Sequence, residues 1–262
     1  MLCFRLLKEG VATLILIDRN AKALQALKDK LEQTAPDVDI SAYKTDLASR
    51  ESLSLLVDKL EHATIDVLIN NAGIAPSGTF SEMSWDAVES VIETNFRALV
   101  FLTHRLLPKL LANDNAFIVN VASGAGLLAP GGMAAYAASK FGVVGFSEGL
   151  RAELVEKNIG VCAICPPFVQ TNIVKNSQVT NGDLSHADKA QLEKLDKMVQ
   201  QKGLRPEYVA ETIVHAIKKN KNRVALGVLP KLLLVMRFIF PSLTDWVNGI
   251  IYRRLKRQGL LT

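Results

Sequence analysis

The chain has 262 residues, 49% of them hydrophobic and 22% charged, which suits one globular α/β domain with a sizeable core. Its net charge of +5 is concentrated in residues 230–262, where six cations face Asp245 alone, so the body is near neutral and carries no nucleic-acid footprint. Three cysteines give no disulfide framework, and the four histidines (His62, His104, His186, His215) show no metal-ligand spacing. A charged amphipathic start in place of an apolar leader predicts a reducing, cytoplasmic setting.

Along the chain, short apolar runs alternate with helical patterns. Met1 to Glu9 predicts a helix stopped by Gly10. Strands are expected from Thr13 to Ile17, Ile40 to Tyr43, Val67 to Ile69, Phe117 to Val121, Val161 to Cys165 and Arg223 to Val228. Helices are expected from Ala21 to Glu32, Arg50 to His62, Ser84 to Leu111, Ala134 to Glu156, His186 to Gln201 and Pro206 to Lys219. Such alternation predicts a doubly wound parallel sheet with helices on both faces. Ligands of such sheets bind at the carboxyl ends of the strands, here marked by Asp18, Asp46, Asn71, Ser123 and Pro166. Cys162 and Cys165 sit three apart in a strand and point to opposite faces, which argues against a shared redox or metal role.

The run Tyr136-Ala137-Ala138-Ser139-Lys140 carries the chemistry. A Tyr four residues before a Lys shares its helix face, and a neighbouring ammonium lowers a phenol pKa toward neutral. Ser123, at the end of the Phe117–Val121 run, can hydrogen-bond a substrate oxygen.

With that spacing, the sequence resembles the short-chain dehydrogenase/reductase family from about residue 1 to 228. The resemblance implies a Rossmann-like fold, an NAD or NADP cofactor and the catalytic set Ser123, Tyr136, Lys140 and Asn95. Tyr136 exchanges a proton with the substrate oxygen, Lys140 holds the nicotinamide ribose, and Asn95 holds a water that links the lysine to solvent. Asp18 accepts from the adenosine ribose and favours NAD over NADP, while Arg19 beside it could stack on adenine or pair with a phosphate. Asp46 and Leu47 match the adenine-contacting pair, and Asn71, Ala72 and Gly73 line the cofactor. The loop holding Pro166, Val169 and Thr171 passes the nicotinamide, with Thr171 on its carboxamide. Pro167 departs from the family's usual Gly and puts that loop's fine geometry in doubt.

The family also implies a first strand and a glycine-rich turn ahead of the first helix, between the strands ending at Asp18 and Asn70. Neither is present in this sequence. A start placed too far downstream, a short isoform or decayed copy, or an expression boundary would each produce this. Two unpaired inner edges, a gap in the core, weak dinucleotide binding and low stability are expected.

Residues 172–202 match the family's variable substrate lid, and Leu127, Leu128, Ala129 and Phe168 suggest an apolar pocket. A lipophilic alcohol or carbonyl substrate is expected. The alternative is a non-catalytic remnant serving as a membrane- or protein-interaction module, and reduction of acyl-carrier-protein thioesters is a weaker third reading. Residues 230–262 form a basic amphipathic tail with Leu243, Trp246, Val247, Ile250, Ile251 and Leu255 on one helical face. A peripheral membrane contact and a helical cover over the pocket or dimer contact are equal expectations for it. A homodimer or homotetramer through residues 84–111 and 136–156 is expected.

Overall fold

The computed structural model describes residues 1–76, 78–113, 115–174, 186–227, 235 and 239–257. Six strands are described: β1 (Thr13–Asp18), β2 (Asp39–Lys44), β3 (Val67–Asn70), β4 (Phe117–Val121), β5 (Gly160–Cys165) and β6 (Arg223–Ala225). All their pairings are parallel, as the alternating pattern requires. They form two separate sheets, β1-β2 and β3-β4-β5-β6, and β1 does not pair with β3. The expected gap is therefore a feature of the fold: Ile15, Ile17 and Asp18 face Leu68 to Ala72 across a cleft of about 180 Å³ floored by Thr94, Ala98, Leu99 and Leu102.

The helices explain why the two sheets nevertheless stay together. On one face, α3 (Arg50–Lys59) and α5 (Ala98–Leu111) bury Leu53, Leu56, Leu102, Leu106 and Leu110 with Ile118 and Val161, and Ile15, Ile17 and Leu68 pack against the same cluster. On the other, α1 (Leu2–Leu7) spans the division. Its Phe4, Leu6 and Leu7 pack with Leu14 and Leu16 of β1, whereas Leu2 packs with the cluster of Phe117, Val119 and Ile213. Glu9 just past α1 pairs with Lys218 of α8 (Pro206–Lys218), and Gly10 ends the helix at φ +78, a value glycine tolerates without strain.

Local signals set most of the boundaries. Asn20 caps α2 (Ala21–Thr34) by accepting from Ala23 N, Ser49 caps α3 from Ser52 N, and Ser84 caps α4 (Trp85–Ile92) from Ala87 N. Pro206 stands at the start of α8, where its missing N–H is harmless. The single helix expected from Ser84 to Leu111 is instead α4 and α5 joined by a π turn over Glu93–Arg97. The extra residue in that turn brings Asn95 inward to 1% exposure. The expected strand end at Val228 and the lid residues 175–185 lie outside the described residues, as do 228–234, 236–238 and 258–262 of the tail region. The remaining helices are α6 (Ala134–Glu153), α7 (His186–Lys202) and α9 (Pro241–Arg257).

Candidate active site

Ser123, Tyr136, Lys140 and Asn95 converge at the carboxyl end of β4. Ser123 follows β4 in an extended conformation and accepts from Ala125 N at 3.2 Å, which starts a short 3-10 turn over Gly124–Gly126. That turn lies directly on α6: a Cβ added at Gly126 would stand 2.5 Å from the Lys140 carbonyl oxygen. No local pattern singles out Gly126, yet its lack of a side chain lets the serine turn approach the helix that carries Tyr136.

Tyr136 is buried, with the Ser123 hydroxyl close enough to its phenol to influence its titration. Burial pushes the phenol above its ordinary value, and the Ser123 hydroxyl opposes the rise. This corrects the sequence-based expectation that Lys140 would pull it down. Lys140 is itself 3% exposed, and burial brings its ammonium down to about 8. Its Nζ lies 5.9 Å from the tyrosine ring centroid and donates to the Val121 carbonyl at 2.9 Å. In this geometry desolvation is the largest influence on both groups.

Asn95 clamps the loop after β3. Its Oδ1 accepts from Ile74 N at 2.8 Å, and its Nδ2 donates to Ile74 O at 2.8 Å and to Ser139 Oγ at 3.1 Å. A Cβ at Gly73 would stand 3.2 Å from Asn95 Oδ1 and 3.3 Å from Lys140 Nζ, so the amide, the ammonium and the Gly73 backbone enclose one small polar space. A second ladder lies deeper. Asn70 Nδ2 donates to Asn120 Oδ1 at 2.9 Å and to Thr103 Oγ1 at 3.1 Å, and Asn120 Nδ2 donates to Ser147 Oγ at 2.9 Å. Asn120 and Ser147 carry no signal in the sequence, because their partners come from β3 and α6.

The residues expected at the cofactor are spread along the cleft and beyond it. Asp18 is exposed at the end of β1 and accepts from Asn20 N at 2.8 Å, while Leu47, Asn71 and Ala72 line the opening with it. Asp46 is exposed and turned onto Ala48 N at 3.0 Å. Pro166 is buried, and its carbonyl accepts from Gly124 N at 2.6 Å, tying the loop after β5 to the serine turn despite Pro167. Val169 bridges Leu204, and the Thr171 carbonyl accepts from Gln200 Nε2 of α7 at 3.0 Å, so the described part of the lid is anchored to this loop.

A dinucleotide fits this donor set in part. Asp18, Asn71 and Ala72 stand at strand ends around one opening, and the buried Lys140 ammonium lies next to Gly73, the residue that follows. A glycine turn for the pyrophosphate has no counterpart in the sequence.

Cys162 and Cys165 are both fully buried in β5, with Cys162 in the cluster under α8 and Cys165 in the cluster with Leu99 and Val143. Burial pushes both thiols up to about 12, which keeps them protonated and unreactive. Among the described residues, no group of His, Cys, Asp and Glu is placed to hold a metal, and no helix is long and apolar enough to cross a membrane.

A parallel sheet with Ser123, Tyr136 and Lys140 gathered at its carboxyl end defines the class, and a family model described as short chain dehydrogenase matches residues 1–182. The chain belongs to that family. It is 34% identical over 248 residues to dehydrogenase/reductase SDR family member 7B of Bos taurus, covering 92% of this chain and 74% of that one. It is 30% identical over 215 residues to epidermal retinol dehydrogenase 2 of Homo sapiens, covering 80% and 63%. A solved short chain dehydrogenase/reductase from Burkholderia phymatum, in complex with NAD, superposes with a TM-score of 0.81 at 26% identity, covering 92% and 90%.

Proposed function

We propose that the protein is an NAD(P)-dependent oxidoreductase acting on a lipophilic alcohol or carbonyl compound. The observation that carries this is the gathering of Ser123, Tyr136 and the buried Lys140 ammonium at the carboxyl end of β4, with the lysine Nζ 5.9 Å from the tyrosine ring centroid and bonded to the Val121 carbonyl. When bound, the nicotinamide supplies or accepts the hydride. The chain supplies the rest. In reduction, Ser123 and Tyr136 donate hydrogen bonds to the carbonyl oxygen, and Tyr136 passes it a proton as the carbonyl carbon gains the hydride. In oxidation, Tyr136 first gives up its own proton through the Lys140 relay and then, as phenolate, takes the hydroxyl proton as the carbon loses the hydride. The lowered Lys140 supports a relay, since a group near 8 both gives and takes protons close to neutrality. Asn95 holds the Gly73–Ile74 backbone against it.

Asp18, Asp46, Leu47, Asn71, Ala72, Gly73, Pro166, Val169 and Thr171 would hold the dinucleotide, with Asp18 favouring NAD. The Bos taurus and Homo sapiens relatives, named dehydrogenases, and the NAD-bound Burkholderia protein support the assignment. The retinol in the human relative's name supports a lipophilic substrate, as do buried Leu127 and exposed Phe168 near the site. The buried thiols fit a reducing cytoplasm. The helices around 84–111 and 136–156 would join copies into a homodimer or homotetramer, and residues 230–262 would meet a membrane peripherally.

Calorimetry with NAD(H), followed by turnover of a lipophilic alcohol under NADH fluorescence, tests the reading. Tyr136→Phe is expected to lower kcat by about 100-fold or more with an unchanged unfolding midpoint. A variant that keeps a tenth of the activity would end the assignment. No binding of NAD(H) at all would instead make the site a relic, with the tail carrying an interaction function.

A further inference from the structure

Helix α9 meets the body along the wrong edge for an ordinary amphipathic helix. Thr244 is 3% exposed, Asn248 Nδ2 donates to the Ala129 carbonyl at 3.4 Å, and Tyr252 packs on Gly131. The Tyr252 contact is close: a Cβ added at Gly131 would lie 2.6 Å from the ring Cδ2. These three residues recur every four positions and form one helix face. The opposite face carries Leu243, Trp246 and Ile250, which are 42%, 61% and 38% exposed. Arg253, Arg254 and Arg257 are exposed at its end, and among the described residues no carboxylate pairs with them. Val235, Ile239 and Phe240, just before the helix, are also exposed.

A helix docked on a protein ordinarily turns its apolar stripe inward. Here Thr244, Asn248 and Tyr252 are inward, and Leu243, Trp246 and Ile250 face out beside a cluster of cations. We infer that the outer face of α9 lies on an anionic lipid surface, with Leu243, Trp246 and Ile250 in the acyl boundary and the three arginines among the headgroups. The cations select negative lipid, and the tryptophan suits the interface. The inner edge fixes where the bilayer stands relative to the site. Ala129 and Gly131 belong to the loop between Ser123 and Tyr136, so the clamp made by Asn248 and Tyr252 holds that loop next to the membrane-bound helix. A lipophilic substrate then reaches the site from the lipid. The substrate route rests on the proposed oxidoreductase function, whereas lipid binding stands or falls without it.

The test uses the whole chain carrying Trp85→Phe, which leaves Trp246 as the sole tryptophan, and no cofactor. Phosphatidylcholine vesicles holding about a third phosphatidylserine should blue-shift Trp246 and co-sediment the protein, and pure phosphatidylcholine should do neither. Combined Arg253→Gln, Arg254→Gln and Arg257→Gln should weaken partitioning by on the order of 100-fold, about fivefold for each charge removed. Leu243→Ser with Ile250→Ser should abolish the blue shift with an unchanged circular dichroism spectrum. Tyr252→Ala should keep vesicle binding but speed proteolytic removal of α9, and an unchanged rate would overturn the clamp. Equal partitioning into neutral and anionic vesicles, or none into either, would overturn the membrane assignment. So would a Leu243→Ser, Ile250→Ser protein that falls from dimer to monomer in light scattering, because the stripe would then join two copies.

Discussion

Strands β4 and β5 and strands β1 and β3 are built from similar apolar residues but live in different surroundings. Each of β4 and β5 pairs on both edges, and Ile118, Val119, Val161 and Ile164 are fully buried. β1 and β3 each pair on one edge only, and Ile15, Ile17, Leu68 and Ile69 remain half-exposed toward the cleft between them. Burial of a strand is thus decided by its neighbours, and composition alone does not reveal it. The division also separates the chemistry. Ser123 follows a strand of the four-stranded sheet and α6, which carries Tyr136 and Lys140, packs on that sheet, whereas Asp18 stands on the detached pair.

The sharpest way to break this contrast is a matched pair of truncations read by urea unfolding. Ile118→Ala should cost about 4 kcal/mol, and Ile17→Ala at the cleft about 1 kcal/mol. Equal losses would mean that the cleft is closed in solution. Next comes the buried ammonium. Lys140 sits near 8 in the fold against 10.5 when unfolded, so between those values the unfolded chain binds more protons. The burial penalty is therefore full below pH 8 and relieved as pH rises toward 10.5. Lys140→Met should be more stable than the parent by about 3 kcal/mol at pH 7, with the gap narrowing above pH 8. The difference between the two proteins is the readout, since the raised thiols of Cys162 and Cys165 act in the opposite sense above pH 9. Gly126→Ala should cost about 2 kcal/mol, because the obstructing atom is the Lys140 backbone oxygen. The smallest effect has the opposite sign. Gly145→Ala, on the exposed side of the same helix with nothing within 4 Å of the added carbon, should stabilise by about 0.5–1 kcal/mol.

The sequence makes the alternation of strands and helices legible, with most boundaries within a few residues, because periodicity and caps are local signals. Ser123, Tyr136 and Lys140 are legible for the same reason, as two of them share one helix face. The gap beside Asp18 is legible only through the family resemblance. What stays hidden is long-range. Asn120 finds its partners on β3 and α6, and Gly126 matters because another helix passes over it. The π turn at Asn95 interrupts what reads as one uniform helix. The tail shows the same limit: its apolar stripe is visible in sequence, but the edge that docks is Thr244, Asn248 and Tyr252.

The two thiols on opposite faces of β5 give the molecule a built-in clock. Neither Cys162 nor Cys165 can be alkylated while β5 holds its place, so the rate at which a maleimide reaches them counts the openings of the central sheet. Cys3, half-buried on α1, reports separately on the helix that straddles the two sheets. Labelling at Cys3 ahead of the β5 pair would mean that the strap across the division lets go before the sheet does, with the order of events written into a mass spectrum.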